Sequence, residues 1–576
     1  MTQHGEKSKQ VAIMGEIYRL SSQTVVWLGP EQDDSDGAFK LLRHFAHQLR
    51  TNNESQTLCP SEQCTDPSLA DVRIPLPYKS GELSCVDHLF SRPYFGRTWT
   101  RQEVTLAQKA VVKCGTQEMP WKDFVQGVET FQYKRHERGA LDATHNREYH
   151  FKQMGTRAFD LCRLRDLRLE YSFLRPLFRD TDCYDKRDKI YAVMSLVPDF
   201  DQRLGIKPDY SSSVEEVYID LAKRIIKDHR LRLLESCELS SDPDRLKLPS
   251  WVPDWSTPTK YERQVTGGCW SACAWITHAT SITTDNILKV AGVRVAIVEK
   301  TLDYKLDRWE CEHVDVYQFL QTLCKIPHVK DALLRDGMKC VKKYCMVLMG
   351  DQFSNAWLPP HPDKPDFAMT VKFLALLWME PGTVDITDDM MSPVGAFMRN
   401  QILVLNYIHR NLTGKTLFTT TKGHVGVAPI GTQAGDVVSV ILSVKLPIVL
   451  RPVPAPETKT ETKTETKTET KTMPKWQVVG ACYIQGFMAG EAIYRGRLPA
   501  RFKPVLQRQR DEAEDRDQYS AAMYDAESRT LKNNPAEILT DMGIEVDLCM
   551  REPQFLIVKL ERLRAAGVPV RFLALV

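Results

Sequence analysis

The sequence predicts three kinds of structure in succession: an α/β N-terminal unit, a mainly helical middle region and a β-rich C-terminal unit. Three observations carry this. A helix-spaced apolar run is followed at once by the β-branched and aromatic run Thr24-Val25-Val26-Trp27-Leu28, closed by Gly29-Pro30. In the middle of the chain the apolar spacing keeps favouring helices. Beyond Gly423 the runs 437–442, 448–450 and 476–479 are β-branched and punctuated by Gly and Pro. At 576 residues the chain exceeds what one hydrophobic core supports and should divide into roughly three or four domains.

Each element follows from its local pattern. Over 8–20, Val11, Met14, Ile17 and Tyr18 recur at three- and four-residue spacing, which predicts a helix with those residues on one face. Residues 24–28 read as a buried strand and 37–50 as a second helix. The stretch 51–82 is rich in Ser, Thr, Asn, Pro and Asp and reads as an irregular excursion. A helix over 99–110 then leads to a strand stopped by Gly115. Residues 135–166 are highly charged and read as helical or linking. A helix is expected over 185–197, with Asp185 as its N-cap and Ile190, Val193, Met194 and Val197 as its stripe, and another over 214–226. Residues 316–323 and 367–379 continue the helical spacing. Residues 457–472 are four copies of Glu-Thr-Lys-Thr with nothing apolar to bury, so a disordered expansion of a loop between two strands is expected.

Composition excludes several functions. Hydrophobic residues at 43% and charged residues at 26% are ordinary for a water-soluble globular chain. A net charge of +3 provides no general field for nucleic acid or an anionic membrane, so no nucleic-acid partner is expected. The first twenty residues lack the apolar segment of a signal peptide and no later stretch is long enough to span a bilayer, which makes the cytoplasm the default location. The 15 cysteines then read as reduced thiols. Cys59 with Cys64 and Cys269 with Cys273 lack a second pair or histidines at zinc-binding spacing, and His44 and His47 lack a carboxylate or cysteine partner, so no metal is expected. Phosphate-binding loops, nucleophile elbows and zinc-protease motifs are missing. Trp251 and Trp255, in an extended Pro-stiffened segment, read as packing residues.

One segment stands out chemically. In Arg97-Thr98-Trp99-Thr100-Arg101-Gln102-Glu103-Val104-Thr105-Leu106-Ala107, helical spacing puts Glu103 in the apolar stripe formed by Trp99, Leu106, Ala107 and Ala110. A carboxylate placed there needs a partner or shifts its pKa, and in a desolvated cleft it suits a developing positive charge. The structural alternative is an ion pair with Arg92 or Arg97 that locks the helix.

These residues also carry a resemblance. The succession Gln10-Val11, Met14-Gly15-Glu16-Ile17-Tyr18, Val25-Val26-Trp27-Leu28-Gly29 and Phe90-Ser91-Arg92-Pro93-Tyr94-Phe95-Gly96-Arg97-Thr98-Trp99, with Gln102-Glu103, resembles the fungal heterokaryon-incompatibility (HET) domain. Arg187-Asp188-Lys189-Ile190-Tyr191-Ala192, Pro208-Asp209-Tyr210-Ser211 and Leu248-Pro249-Ser250-Trp251-Val252-Pro253-Asp254-Trp255-Ser256 are similar to its companion region. Gly435-Asp436-Val437-Val438, 447–451 and 479–492 resemble its β-rich tail. The resemblance implies a partial HET domain over 1–128, a helical companion region over 129–290, a mainly helical region over 291–415, a β-rich unit over 416–495 and a helical tail over 496–576. Family members usually begin with two further strands, so it also implies an α/β domain lacking its first strands.

HET domains are distantly similar to TIR domains, some of which cleave NAD. That likeness implies a TIR-like fold with Glu103 as the catalytic carboxylate and Trp99 and Arg97 as substrate-binding residues. NAD would be a substrate, and no cofactor is implied. The resemblance further implies non-self recognition leading to programmed cell death, with other incompatibility proteins or self-association as partners. Whether the chain is an enzyme stays open: a self-associating scaffold and an inactive truncated paralogue are the alternatives.

Overall fold

The computed structural model describes residues 3–52, 57–71, 74, 76–78, 80–138, 157–166, 170–175, 181–228, 230–240, 242–243, 245–257, 270–302, 313–358, 360, 364–379, 393–454, 473–496, 498–511, 516–532, 535–548 and 555–576. The Glu-Thr-Lys-Thr repeat and most of the charged 135–166 stretch lie outside them. The chain forms two compact units, one of residues 1–217, 255–258 and 510–518, the other of 218–254, 259–509 and 519–576.

The first unit begins with α1 (Gln3–Leu20), β1 (Thr24–Trp27) and α2 (Ser35–Gln48). A hairpin follows, β2 (Leu49–Asn52) and β3 (Thr57–Pro60), where the sequence suggested only irregular chain. The Gln48 carboxamide oxygen helps order this excursion by accepting from the amide and hydroxyl of Thr65, at 2.8 and 3.0 Å. Then come α3 (Ser80–Phe90), α4 (Thr100–Thr105), β4 (Ala110–Cys114), β5 (Gln117–Pro120) and α5 (Trp121–Arg138). The sheet order is β1-β4-β5, with β1 parallel to β4 and β4 antiparallel to β5. Val26, Leu28 and Val112 bury one face of this sheet in a core with Phe39, Leu42 and Phe45 of α2, Phe90 of α3 and Phe124 and Phe131 of α5. Phe95 and Phe124 stack at 6.0 Å. Helices α2 and α5 come so close at Gly127 that a Cβ there would lie 2.6 Å from the Leu42 carbonyl oxygen.

Two helices differ from the periodicity. The one expected over 99–110 is regular only as α4, because Lys109 is drawn into the sheet: its carbonyl accepts from the Thr24 amide at 2.8 Å. The one expected over 185–197 is regular only as α6 (Asp188–Tyr191). It continues as tight turns, with Val193 bonded to Ile190 and Leu196 to Val193, since its polar groups are claimed by neighbours described below. Ile17, expected on the inner face of α1, is exposed, and Val11 and Gly15 are the buried positions of that helix. Helix α7 (Val214–Lys227) matches its pattern closely. Trp255 is buried and donates to the Tyr171 carbonyl at 3.1 Å.

The second unit is organised by one long strand, β6 (Leu288–Thr301). After it come α8 (His313–Leu323), α9 (Pro327–Asp336), α10 (Met338–Met349), α11 (Phe367–Met379) and α12 (Pro393–Leu412). The strands β7 (Lys415–Thr420), β8 (Val425–Pro429), β9 (Val437–Ile441), β10 (Ile448–Pro452), β11 (Lys475–Ala481) and β12 (Tyr483–Ile484) follow. Next are β13 (Phe502–Asp511), β14 (Arg516–Asp525), β15 (Thr530–Lys532) and β16 (Arg571–Leu575). β6 pairs with β9, β9 with β10, β10 with β11, β11 with β16 and β16 with β6 again, so the ladder closes into a five-stranded barrel. Register shifts at Val438/Ser439 and Val449/Leu450 supply the bends that closure requires. Ala291, Val293, Val438, Val440, Val449 and Val479 share its buried core. β7, β8 and β12 extend the sheet from the far end of β6.

The barrel therefore recruits β6 from the start of the expected helical stretch 291–415, and β16 from the expected helical tail. That tail is mixed: β13, β14 and β15 are neighbours in a separate small sheet, alongside short helices Ala536–Asp541 and Leu560–Ala565. Its charged composition concealed strands whose burial is decided by distant partners. Trp251 is buried here and donates to the Asn286 carbonyl at 2.8 Å. Among the described residues no helix is long and apolar enough to cross a membrane.

Candidate functional site

Glu103 sits on α4, whose position is fixed on three sides within the first unit. Thr100, Arg101, Gln102 and Val104 are buried. The Arg101 guanidinium donates to the carbonyls of Phe95 at 3.0 Å and Arg97 at 2.7 Å, which closes the turn that enters the helix. Arg97 forms a short parallel bridge with Asp182: the Thr98 amide donates to the Asp182 carbonyl at 3.1 Å and the Asp182 amide to Gly96 at 2.6 Å. The buried Thr98 hydroxyl bonds that of Thr181 at 2.9 Å.

The third anchor joins the two motifs. The Trp99 indole donates to one oxygen of Asp188 at 3.1 Å, and the Tyr210 hydroxyl donates to the other at 2.5 Å. Burial raises the Asp188 carboxyl above its ordinary value, and these two donors partly offset that. Next to it, the Arg187 guanidinium grips Asp185 through two bonds of 2.9 Å and reaches the Tyr210 carbonyl at 2.9 Å. Lys7 of α1 lies 3.7 Å from the centre of the Tyr210 ring. The segments Trp99 to Glu103, Arg187 to Tyr191 and Asp209 to Ser212, distant in sequence, are thus one bonded network.

Glu103 itself is half-buried and accepts a hydrogen bond from the Tyr94 hydroxyl at 3.0 Å. Burial pushes its carboxyl up, opposed by that bond and by the charge of Arg97. Tyr18 of α1 belongs to the same group. Its phenol is raised by burial and by Glu103, and lowered by Arg97. Of the two ion-pair partners weighed as an alternative, Arg92 is committed elsewhere, donating to the Gln32 carbonyl at 2.9 Å, while Arg97 acts on Glu103 through its charge and the hydrogen bond comes from Tyr94. Of the three residues singled out in the sequence, Glu103 and Arg97 share a field, whereas the indole N–H of Trp99 is committed to Asp188. Sequence reasoning missed Tyr18, Tyr94 and Tyr210. Tyr94 precedes the helix in a 3₁₀ turn, out of phase with any periodicity.

The second unit holds another group that the sequence did not signal. Asp351, two residues beyond α10 and in a left-handed backbone conformation, accepts from the Tyr483 hydroxyl of β12 at 2.7 Å and from the Trp270 indole. Glu491 lies close enough to repel it, and burial above all pushes the Asp351 carboxyl up to about 7. Glu491 is itself raised by burial and accepts from the Ala489 amide at 2.7 Å.

The chain thus joins an N-terminal α/β unit carrying the Glu103 and Asp188 network to a helical region and a closed five-stranded barrel. Residues 1–103 match the family model described as heterokaryon incompatibility protein (HET), and residues 398–497 match the Het-6 beta-barrel domain. Both matches make the chain similar, over these two segments, to fungal heterokaryon incompatibility proteins. It is similar to heterokaryon incompatibility protein 6, OR allele, of Neurospora crassa, with 27% identity over 351 residues, covering 53% of this chain and 51% of that protein. The chain thus spans about half the length of the curated relative it matches. No solved structure matches it.

Proposed function

We propose that this protein acts in fungal non-self recognition, and that its first unit signals cell death by cleaving NAD in a TIR-like manner at Glu103. The observation that carries the chemical part is the placement of Glu103, a carboxylate on a rigidly anchored short helix, half-buried and bonded to Tyr94. Cleavage breaks the bond between the ribose C1′ and the nicotinamide nitrogen. Nicotinamide leaves with the bonding electron pair, the ribose acquires oxocarbenium character, and water then adds to C1′ and gives up a proton. An ionised Glu103 facing that carbon stabilises the positive charge, and Tyr94 holds the carboxylate in one orientation. Arg97, exposed beside it, suits the pyrophosphate of the substrate.

Because the Glu103 carboxyl titrates above its ordinary value and the ionised form is the active one, nicotinamide release should rise with pH through that titration. Incubation of the full chain with NAD, with nicotinamide measured by chromatography, tests the reading. Glu103→Gln should lower release by about 100-fold or more. Equal release by both proteins removes Glu103 from the mechanism, and no release from a folded wild type leaves the second reading, a self-associating scaffold. That reading is favoured by uncovered apolar side chains on α1 and β1.

A further inference from the structure

A cavity in the second unit is walled by β6, β7 and β8 on one side and by α9 and α10 on the other, with about 220 Å³ of space that is partly open to solvent. Lys300 of β6 and Thr419 of β7 are register partners, so their side chains leave the sheet on one face. Val425 of β8 lies opposite Thr419, and Leu417 is two residues before it, so both share that face. The helices contribute His328, in the first turn of α9, and Tyr344 of α10. Tyr344 is 3% exposed, and its ring is held edge-on to Trp378 at 5.9 Å. Among the described residues, the side chains of Lys300, His328, Tyr344 and Thr419 have no hydrogen-bond or ion-pair partner, and a hydroxyl so buried ordinarily has one. Burial and the charge of Lys300 hold His328 below its ordinary value, against a weaker pull from Glu299 and Asp331. The turn between β7 and β8 repeats the sign, because burial and then Lys343 and Lys422 hold His424 down. Helix α9 also starts here without a side-chain cap, which adds the positive end of its dipole.

We propose that this cavity is a binding site for a phosphate group, held by Lys300, His328, Tyr344 and Thr419. Three features select that chemistry. First, all four groups can donate: an ammonium has no acceptor capacity, and burial keeps the Tyr344 phenol protonated. No carboxylate lines the cavity among the described residues, so a cation meets repulsion there and an anion meets attraction. Second, the donors come from the sheet, from α9 and from α10, and so approach from three sides. A tetrahedral oxyanion presents an oxygen to each, whereas a planar carboxylate has only two to share. Third, the space is below the roughly 300–1,000 Å³ of sites for drug-sized molecules, so it admits a small molecule or one group of a larger one. Leu417 and Val425 supply an apolar wall for the substituent of a phosphate ester. The site is in the second unit and does not depend on whether Glu103 cleaves NAD.

Calorimetric titration of the full chain with inorganic phosphate, phenyl phosphate and benzoate tests it. Phenyl phosphate should bind at one site with a Kd of about 1 mM or tighter, and benzoate about tenfold more weakly or worse. Inorganic phosphate binding as well as phenyl phosphate identifies free phosphate as the form the site takes, and tighter binding of phenyl phosphate identifies an ester. Lys300→Met and Tyr344→Phe should each weaken binding about tenfold or more. Because neither group has a partner in the described structure, the melting temperature without ligand should stay at the wild-type value in both variants. Lys330→Met, exposed on α9 and outside the cavity, should leave binding unchanged. No saturable binding of either phosphate up to about 10 mM, benzoate binding as tightly as phenyl phosphate, or an affinity indifferent to both Lys300→Met and Tyr344→Phe overturns the proposal.

Discussion

Replacing Asp351 by Asn should change how the stability of the second unit depends on pH. In the fold this carboxyl titrates at about 7 against its ordinary 3.8, because burial disfavours the charge, Glu491 repels it, and the bond from Tyr483 only partly compensates. The native state consequently holds the proton more tightly than the unfolded chain does. Below about pH 4 both states are protonated and the contribution to stability is complete. It then falls by about 1.4 kcal/mol per pH unit as pH rises and levels off above about 7, a total of roughly 4 kcal/mol. Asn keeps an oxygen for the Tyr483 hydroxyl and has nothing to ionise. Between about pH 5 and 8 the wild type should therefore lose about 2–3 kcal/mol relative to Asp351→Asn. Urea unfolding followed by tryptophan fluorescence at several pH values measures this, with Trp270 as a local reporter. Parallel pH profiles for the two proteins would show that Asp351 is ionised in the fold and that the reasoning is wrong.

Two other substitutions test the bonded networks. Trp99→Phe keeps an aromatic ring, though a smaller one, and removes the N–H that bonds Asp188, and should lower stability by about 1–3 kcal/mol, read as a fall in the melting temperature of the first unit. Arg451→Met keeps the aliphatic stem but strips two bonds of 2.9 Å from Asp436, which is 1% exposed. It should cost about 3–5 kcal/mol, and the double variant with Asp436→Asn should recover much of that.

Local pattern determined what local forces determine. α7 and α11 follow their apolar spacing almost to the residue, and β1, β4, β9 and β10 follow their β-branched runs. What the sequence concealed depends on distant partners. Ile17 continues the helical spacing of α1, yet nothing in the described structure covers it. β16 is five residues long and is a strand because β6 and β11 flank it. Glu103 was legible as a carboxylate out of place, because a charged residue within an apolar stripe is itself a signal. Its partner Tyr94 was not, since the bond spans a 3₁₀ turn. Asp351 was hidden by distance: its hydroxyl donor comes from β12, beyond α11, α12 and three of the five barrel strands.

The closed ladder of the barrel has a consequence for how the protein is made. Leu288 of β6 is a register partner of Leu575 of β16. A chain emerging from the ribosome exposes β6 early and cannot seal the ring until residues 571–575 have appeared. At about 5–20 residues per second, that leaves the half-built barrel with bare strand edges for on the order of 10–60 s. Such long-range closure also makes for slow folding. Expression at reduced temperature or with added chaperones should matter more for this unit than for the first, whose sheet is complete once residue 120 has been synthesised.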